Sequence, residues 1–165
     1  MCNELVLRLI KDENGYWAEE KNMLKDYSNK GLVWVMYGFF DEAGKPVLLE
    51  VGKTKDIITE INRDKEIIMN PPQPKKVNNK SHPRIMKWSE KIDGYDKRIN
   101  DKYRMISNKY TKIELFIAYE DNNDDNLLYQ ETQIAMNGKA KYWYPMGTKQ
   151  LECVRDYKKT HCKDE

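Results

Sequence analysis

The spacing of apolar positions changes repeatedly along the chain, and each change marks an element. Leu32 to Phe40 is a run of β-branched, aromatic and other apolar residues that stops at Asp41-Glu42-Ala43-Gly44-Lys45-Pro46, and a second run follows from Val47 to Val51. Two such runs around a turn predict a β-hairpin. After Gly52-Lys53-Thr54-Lys55 the apolar positions become Ile57, Ile58 and Ile61 with charges between them, the spacing of an amphipathic helix that ends near Met69. Alternation returns at Ile113, Leu115 and Ile117, which predicts a third strand over Lys112 to Glu120. The polar turn from Asp121 to Asn126 then offers several N-caps for a helix over Leu127 to Asn137, closed by Gly138.

The flanks are less regular. Asn3 to Ile10 fits either a helix, through Leu5, Val6, Leu9 and Ile10, or a strand, through Leu5, Leu7 and Leu9. Trp17, Met23, Leu24 and Tyr27 share a helix face that stops before Gly31, so residues 1–30 are expected to form a helical lead-in. Between the first helix and the third strand, Pro71, Pro72 and Pro74 enforce a loop made basic by Lys75 and Lys76. Ser81 before His82-Pro83 starts a helix with Ile85, Trp88 and Ile92 on its buried side, Gly94 breaks it, and Ile99, Tyr103 and Ile106 mark another segment. Residues 149–165 read as a charged tail. The expected class is α+β: a small three-stranded antiparallel sheet flanked by helices, in one domain over residues 31–148.

Composition narrows the partners. Charged residues make up 34% of the 165, yet aromatic and aliphatic residues recur throughout, as in a folded rather than a disordered chain. No apolar run approaches the length needed to span a bilayer, so no membrane partner is expected. Cys2, Cys153 and Cys162 are an odd number at no framework spacing, which favours free thiols and a cytoplasmic location. The net charge of +2 conceals a basic middle, because Val51 to Leu115 holds 16 Lys and Arg against 9 Asp and Glu. Such a stretch attracts phosphates, although solvated faces of lysine-rich helices have the same composition.

Few constellations carry chemistry. Gly52-Lys53-Thr54 ends like a phosphate-binding loop, but the required upstream glycine is Val47, which excludes that motif. A glycine beside Lys53 and Lys55 still permits close approach of a phosphate to the backbone. Glu131 falls within the apolar stripe formed by Leu127, Leu128, Ile134 and Ala135, so it must meet a cation, a metal or the rim of a cleft, or reach water from the stripe's edge. It is the best single candidate for a metal ligand. His82 suits a helix start better than catalysis, and Cys153, His161 and Cys162 match no standard zinc spacing.

The segment from Val33 to Gly38, the turn with Gly44, and Leu49-Glu50-Val51-Gly52-Lys53-Thr54-Lys55-Asp56-Ile57 resemble the GIY-YIG nuclease domain over about Gly31 to Pro145. That resemblance implies a nuclease hairpin bearing two motif tyrosines, a helix with a catalytic arginine, and a later helix with a metal-binding glutamate. The tyrosines fall on Trp34 and Glu50 and the arginine on Glu60, all departures, whereas Glu131 and Gly52 match. Trp34 has no hydroxyl to exchange a proton, and Glu50 and Glu60 repel a phosphate.

The function expected from this resemblance is a divergent metal-dependent endonuclease that hydrolyses phosphodiester bonds. Tyr37, Arg63 and Glu131 would be catalytic, with Glu131 holding Mg2+ or Mn2+, joined in one variant by Glu50. Lys53, Lys55, Lys75, Lys76 and Arg84 would contact nucleic acid, DNA in preference to RNA. The alternative is a catalytically inactive nuclease-like scaffold that binds nucleic acid or a protein, as a regulator or inhibitor in a phage or defence setting.

Overall fold

The computed structural model describes residues 3–41, 43–73, 86–90 and 98–162. Lys75, Lys76, Arg84 and the expected helix start at Ser81 lie outside them. Five described strands, β1 (Glu4–Lys11), β2 (Trp17–Asn22), β3 (Leu32–Phe39), β4 (Val47–Thr54) and β5 (Lys112–Glu120), form one sheet in the order β2-β1-β5-β3-β4. Every neighbouring pair is antiparallel. Four α-helices complete the described fold: α1 (Ile57–Met69), α2 (Arg98–Lys109), α3 (Asp124–Gly138) and α4 (Gly147–His161). The α+β class holds, and the sheet has two strands more than the three expected.

Strand β3 shows why the helices divide between two layers. Leu32, Trp34 and Met36 enter one core with Leu49, Ile57, Ile61, Ile68, Tyr103 and Ile106, which belong to β4, α1 and α2. Val33 and Val35 enter a second core with Val51, Leu127, Ala135, Met136, Trp143 and Val154, which lie on β4, on α3 and α4, and in the connection between those helices. A strand buried on both faces needs apolar residues at successive positions, which explains its unbroken apolar run.

The extra strands come from the segment expected to be a helical lead-in. β1 pairs with both β2 and β5, so it is an inner strand of the sheet. The helical spacing of Trp17, Met23, Leu24 and Tyr27 was misleading: Trp17 belongs to β2, while Leu24–Tyr27 form a 3-10 turn. Only Trp17 of β2 is fully buried, and an edge strand with one inward residue carries no period-two signature. Arg8 ties three strands together, donating to Glu114 of β5 at 2.9 Å and to Glu20 of β2 at 3.3 Å.

Local signals place the helices well. Asp56 caps α1 by accepting from Thr59 N, and Asn123 caps α3 by accepting from the backbone of Asp125 and Asn126. Of the charged C-terminal stretch, whose sequence also allowed a frayed helix, Gly147–His161 form α4, packed on α3. Residues 86–90, where the helix around Trp88 was expected, turn instead, with Ser89 N donating to Met86 O. Among the described residues, no helix is long and apolar enough to cross a membrane.

Because β1 is an inner strand, a chain shortened to begin at Gly31 is expected to lose cooperative folding. Urea denaturation followed by tryptophan fluorescence would show no sigmoidal transition, where the full chain shows one.

Candidate active-site cleft

The connection between α3 and α4 runs along the free edge of β4, where Lys141 N and Tyr142 N donate to Leu48 O and Leu49 O at 3.1 and 2.8 Å. Beyond that contact a cleft of 460 Å³ opens at the sheet edge. Its walls are the Glu50–Lys53 stretch of β4, Trp34 of β3, Glu60 of α1, Lys102 of α2, Leu128 and Glu131 of α3, Tyr142–Tyr144 and Met146 of the connection, and Gln150 of α4. Trp34, Glu50, Glu60 and Glu131, far apart in sequence, thus line one cavity.

Each of the four is already engaged. Trp34 stands opposite Gly52 in the β3–β4 register, and its indole lies so close that a Cβ built on Gly52 would sit 2.3 Å from its Cζ2. The glycine therefore makes room for a tryptophan, and the indole occupies the space through which a phosphate was expected to approach. Trp34 Nε1 donates to Glu60 Oε1 at 3.2 Å. Burial holds the proton affinity of Glu60 above the ordinary carboxylate range, against a hydrogen bond from Thr54 and with help from the nearby charges of Asp64 and Glu50.

Glu50 accepts from the Lys102 ammonium and, at 2.7 Å, from the Tyr103 hydroxyl. The same hydroxyl lies 2.7 Å from Asp64 Oδ2. One phenolic proton serves two carboxylates, and burial followed by repulsion from Glu50 raises the proton affinity of Asp64. Burial and the same two carboxylates push Tyr103 well above the usual phenol range, so this hydroxyl is locked as a donor and is no source of phenolate.

Glu131 is 8% exposed and accepts from Trp143 Nε1 at 3.0 Å. Burial pushes its carboxyl from 4.5 up to about 7, and the bonds from Trp143 and Gln150 only partly oppose this. A shift of that size is worth at most about 3 kcal/mol, more than the roughly 1 kcal/mol of a typical net hydrogen bond, so desolvation wins.

The other expected site residues are dispersed. Tyr37 belongs to the second core, edge-to-face with Phe116 at 5.9 Å, and does not line the cleft. Arg63 turns back onto Asp64, with Nη2 and Nε at 2.9 and 3.0 Å from Oδ1, and is likewise absent from the walls. Arg63 lies near enough for its charge to act on Glu60, as the helical spacing suggests, but it bonds the buried acid beside it. Lys53 does line the cleft, yet its ammonium is 3.1 Å from Asp124, and Lys55 reaches the same carboxylate at 3.9 Å. Acidic residues opening α3 thus hold both lysines expected to grip phosphate.

This donor set does not fit a divalent ion as arranged. Both Glu50 oxygens are taken, one by an ammonium that already supplies the compensating positive charge. One oxygen each of Glu60 and Glu131 accepts from an indole. Among the described residues, no group of three His, Cys, Asp or Glu is placed to hold a metal. Cys153 and Cys162 are free thiols.

Sequence reasoning missed Asp64, Lys102 and Gln150 as site residues, and offered Tyr103 and Trp143 only as aromatics able to stack on bases. Asp64 carried a signal, since it interrupts the buried stripe Ile57, Ile61 and Ile68 as Glu131 interrupts its own. Lys102 carried none, because a lysine beside a core tyrosine on a basic helix is commonplace.

Two outcomes follow. Folded Glu131 holds its proton more tightly than the unfolded chain does, so its contribution to stability falls as pH rises from about 4.5 through about 7 and is level above that. Glu131→Gln is expected to leave stability nearly unchanged at pH 5 and to raise it by about 2 kcal/mol at pH 8, read from urea midpoints at the two pH values. Gly52→Ala drives a methyl into the buried Trp34 ring, and the same assay is expected to show a loss of about 1–3 kcal/mol.

Compared with known proteins, the chain matches no family model, no curated protein and no solved structure.

Proposed function

We propose that this chain is a GIY-YIG-like scaffold whose hydrolytic constellation has been replaced, and that it acts as a binding domain rather than an endonuclease. The observation that carries this reading is the convergence of Trp34, Glu50, Glu60 and Glu131 on one cleft, with each already bonded to a neighbour within the fold. The convergence supports the resemblance. The bonding argues against the chemistry, because water attack on a phosphodiester needs a proton acceptor at the nucleophile and cationic donors at the phosphate. Here Trp34 supplies no hydroxyl, the arginine position holds a carboxylate, and Lys102 and Lys53 are committed to Glu50 and Asp124.

A partner that enters this cleft meets Glu60 and Glu131, neither in an ion pair among the described residues, so a cationic protein surface fits better than a phosphate backbone. The rewired endonuclease is the second reading. It is favoured by Glu131, which the resemblance sets against the family's glutamate and whose carboxyl, raised to about 7, suits proton transfer.

One assay separates the two. Purified protein is incubated with supercoiled plasmid and with a structured RNA in Mg2+ or Mn2+, beside the Glu131→Gln and Arg63→Ala variants. The expected result is intact substrate throughout. Metal-dependent cleavage that disappears in Glu131→Gln would overturn the binding-domain reading in favour of the nuclease.

A further inference from the structure

We propose that the cleft receives the arginine side chain of a protein partner, with the guanidinium on Glu60 and Glu131 and the aliphatic stem along the apolar wall. This rests on the binding-domain reading and names the occupant.

Two independent features of the cavity point to such a ligand. The first is an imbalance of charge. Of the cleft's two lysines, Lys102 is consumed by Glu50 and Lys53 by Asp124. Glu60 and Glu131 accept from indole and other neutral donors, and although the charges of Arg63 and Lys53 act on them from a distance, neither acid has an ion pair among the described residues. Burial raises the proton affinity of both, so a cation brought against them relieves a cost the fold already carries.

The second feature is the shape and chemistry of the mouth. Met146 is 64% exposed, and with the half-buried Leu128 and Tyr144 it forms an apolar wall beside the acids. A long side chain with an apolar stem and a charged head matches that pairing, and exposed methionine adapts readily to a partner's surface.

Guanidinium suits these carboxylates better than other cations do. A divalent ion must replace its water with several bare oxygens, whereas Glu60 and Glu131 each already accept a hydrogen bond. Guanidinium is more weakly hydrated and offers five donors in a plane, so it bonds the remaining lone pairs without displacing the indoles. A volume of 460 Å³ exceeds one side chain, leaving room for the flanking peptide, which is why the arginine is assigned to a protein and not to a small free molecule.

The test follows the indole N–H resonances of Trp34 and Trp143 by NMR during titration with a capped Gly-Leu-Arg-Leu-Gly peptide. Parallel titrations use the same peptide with citrulline for arginine, agmatine alone, and a short DNA duplex. The expected result is that the arginine peptide shifts both resonances, the uncharged citrulline peptide does not, and the Glu60→Gln, Glu131→Gln double variant binds about tenfold more weakly or worse while its spectrum remains folded.

Agmatine binding as tightly as the peptide would overturn the protein source. Equal response to arginine and citrulline peptides, or no response to any guanidinium at millimolar concentration, would overturn the inference itself. Shifts from the DNA duplex alone would also overturn it while leaving the binding-domain reading intact. Only cleavage in the preceding assay would overturn that reading.

Discussion

Burial of β3 on both faces is the constraint on which the rest of the structure depends. Its alternate side chains must each find an apolar layer, so α1 and α2 are required on one face of the sheet and α3 and α4 with their connection on the other. β4 pairs with β3 and forms the sheet edge, so side chains from both layers meet around it. That meeting place is the cleft. It gathers Glu60 and Lys102 from one layer and Glu131, Trp143 and Gln150 from the other, with Trp34 and Glu50 supplied by the strands between. No single element builds the site, and none can be removed without opening one of the two cores.

Within the cleft Trp34, Glu50 and Glu60 are each physically coupled to a neighbour. An indole at position 34 fills the space over Gly52 and brings a buried N–H that needs an acceptor, and Glu60 provides it. A carboxylate at position 50 is tolerable because Lys102 and Tyr103 reach it from α2. Each of these side chains is therefore half of a pair, and the pairs make a self-bonded floor to the cleft. The electrostatic result is the reverse of a phosphate site: the cations are neutralised by acids inside the fold, and the acids left over face the cavity.

Much of the hairpin, of α1, of β5 and of α3 was legible because their side-chain periods and caps are local. Asn123 caps within the turn that offered N-caps, and Glu131 is buried at the cleft, one of the outcomes its place in an apolar stripe left open. The N-terminal hairpin was legible only in part: a strand was one of two readings for Asn3 to Ile10, but β2 turns one apolar residue inward and owes its conformation to backbone pairing with β1. The fates of Tyr37, Arg63, Lys53 and Lys55 were not legible either. A side chain's type says what it is able to bind, but the nearest partner depends on which elements pack beside it.

The sequence by itself determined the α+β class, the two-sided burial of β3, the glycine at position 52 and an acid at position 131 that had to be accommodated. These follow from periodicity and from the cost of burying charge, which act over a few residues. Only the tertiary structure decided that Trp34 occupies the space over Gly52, that Asp124 holds the lysines, and that Lys102 of α2 neutralises Glu50. Those outcomes are pairings across 18 residues of chain for Trp34 and Gly52, 52 for Lys102 and Glu50, and 71 for Lys53 and Asp124. Charge and hydrogen bonding decide them by distance in space, which no local pattern of residues encodes.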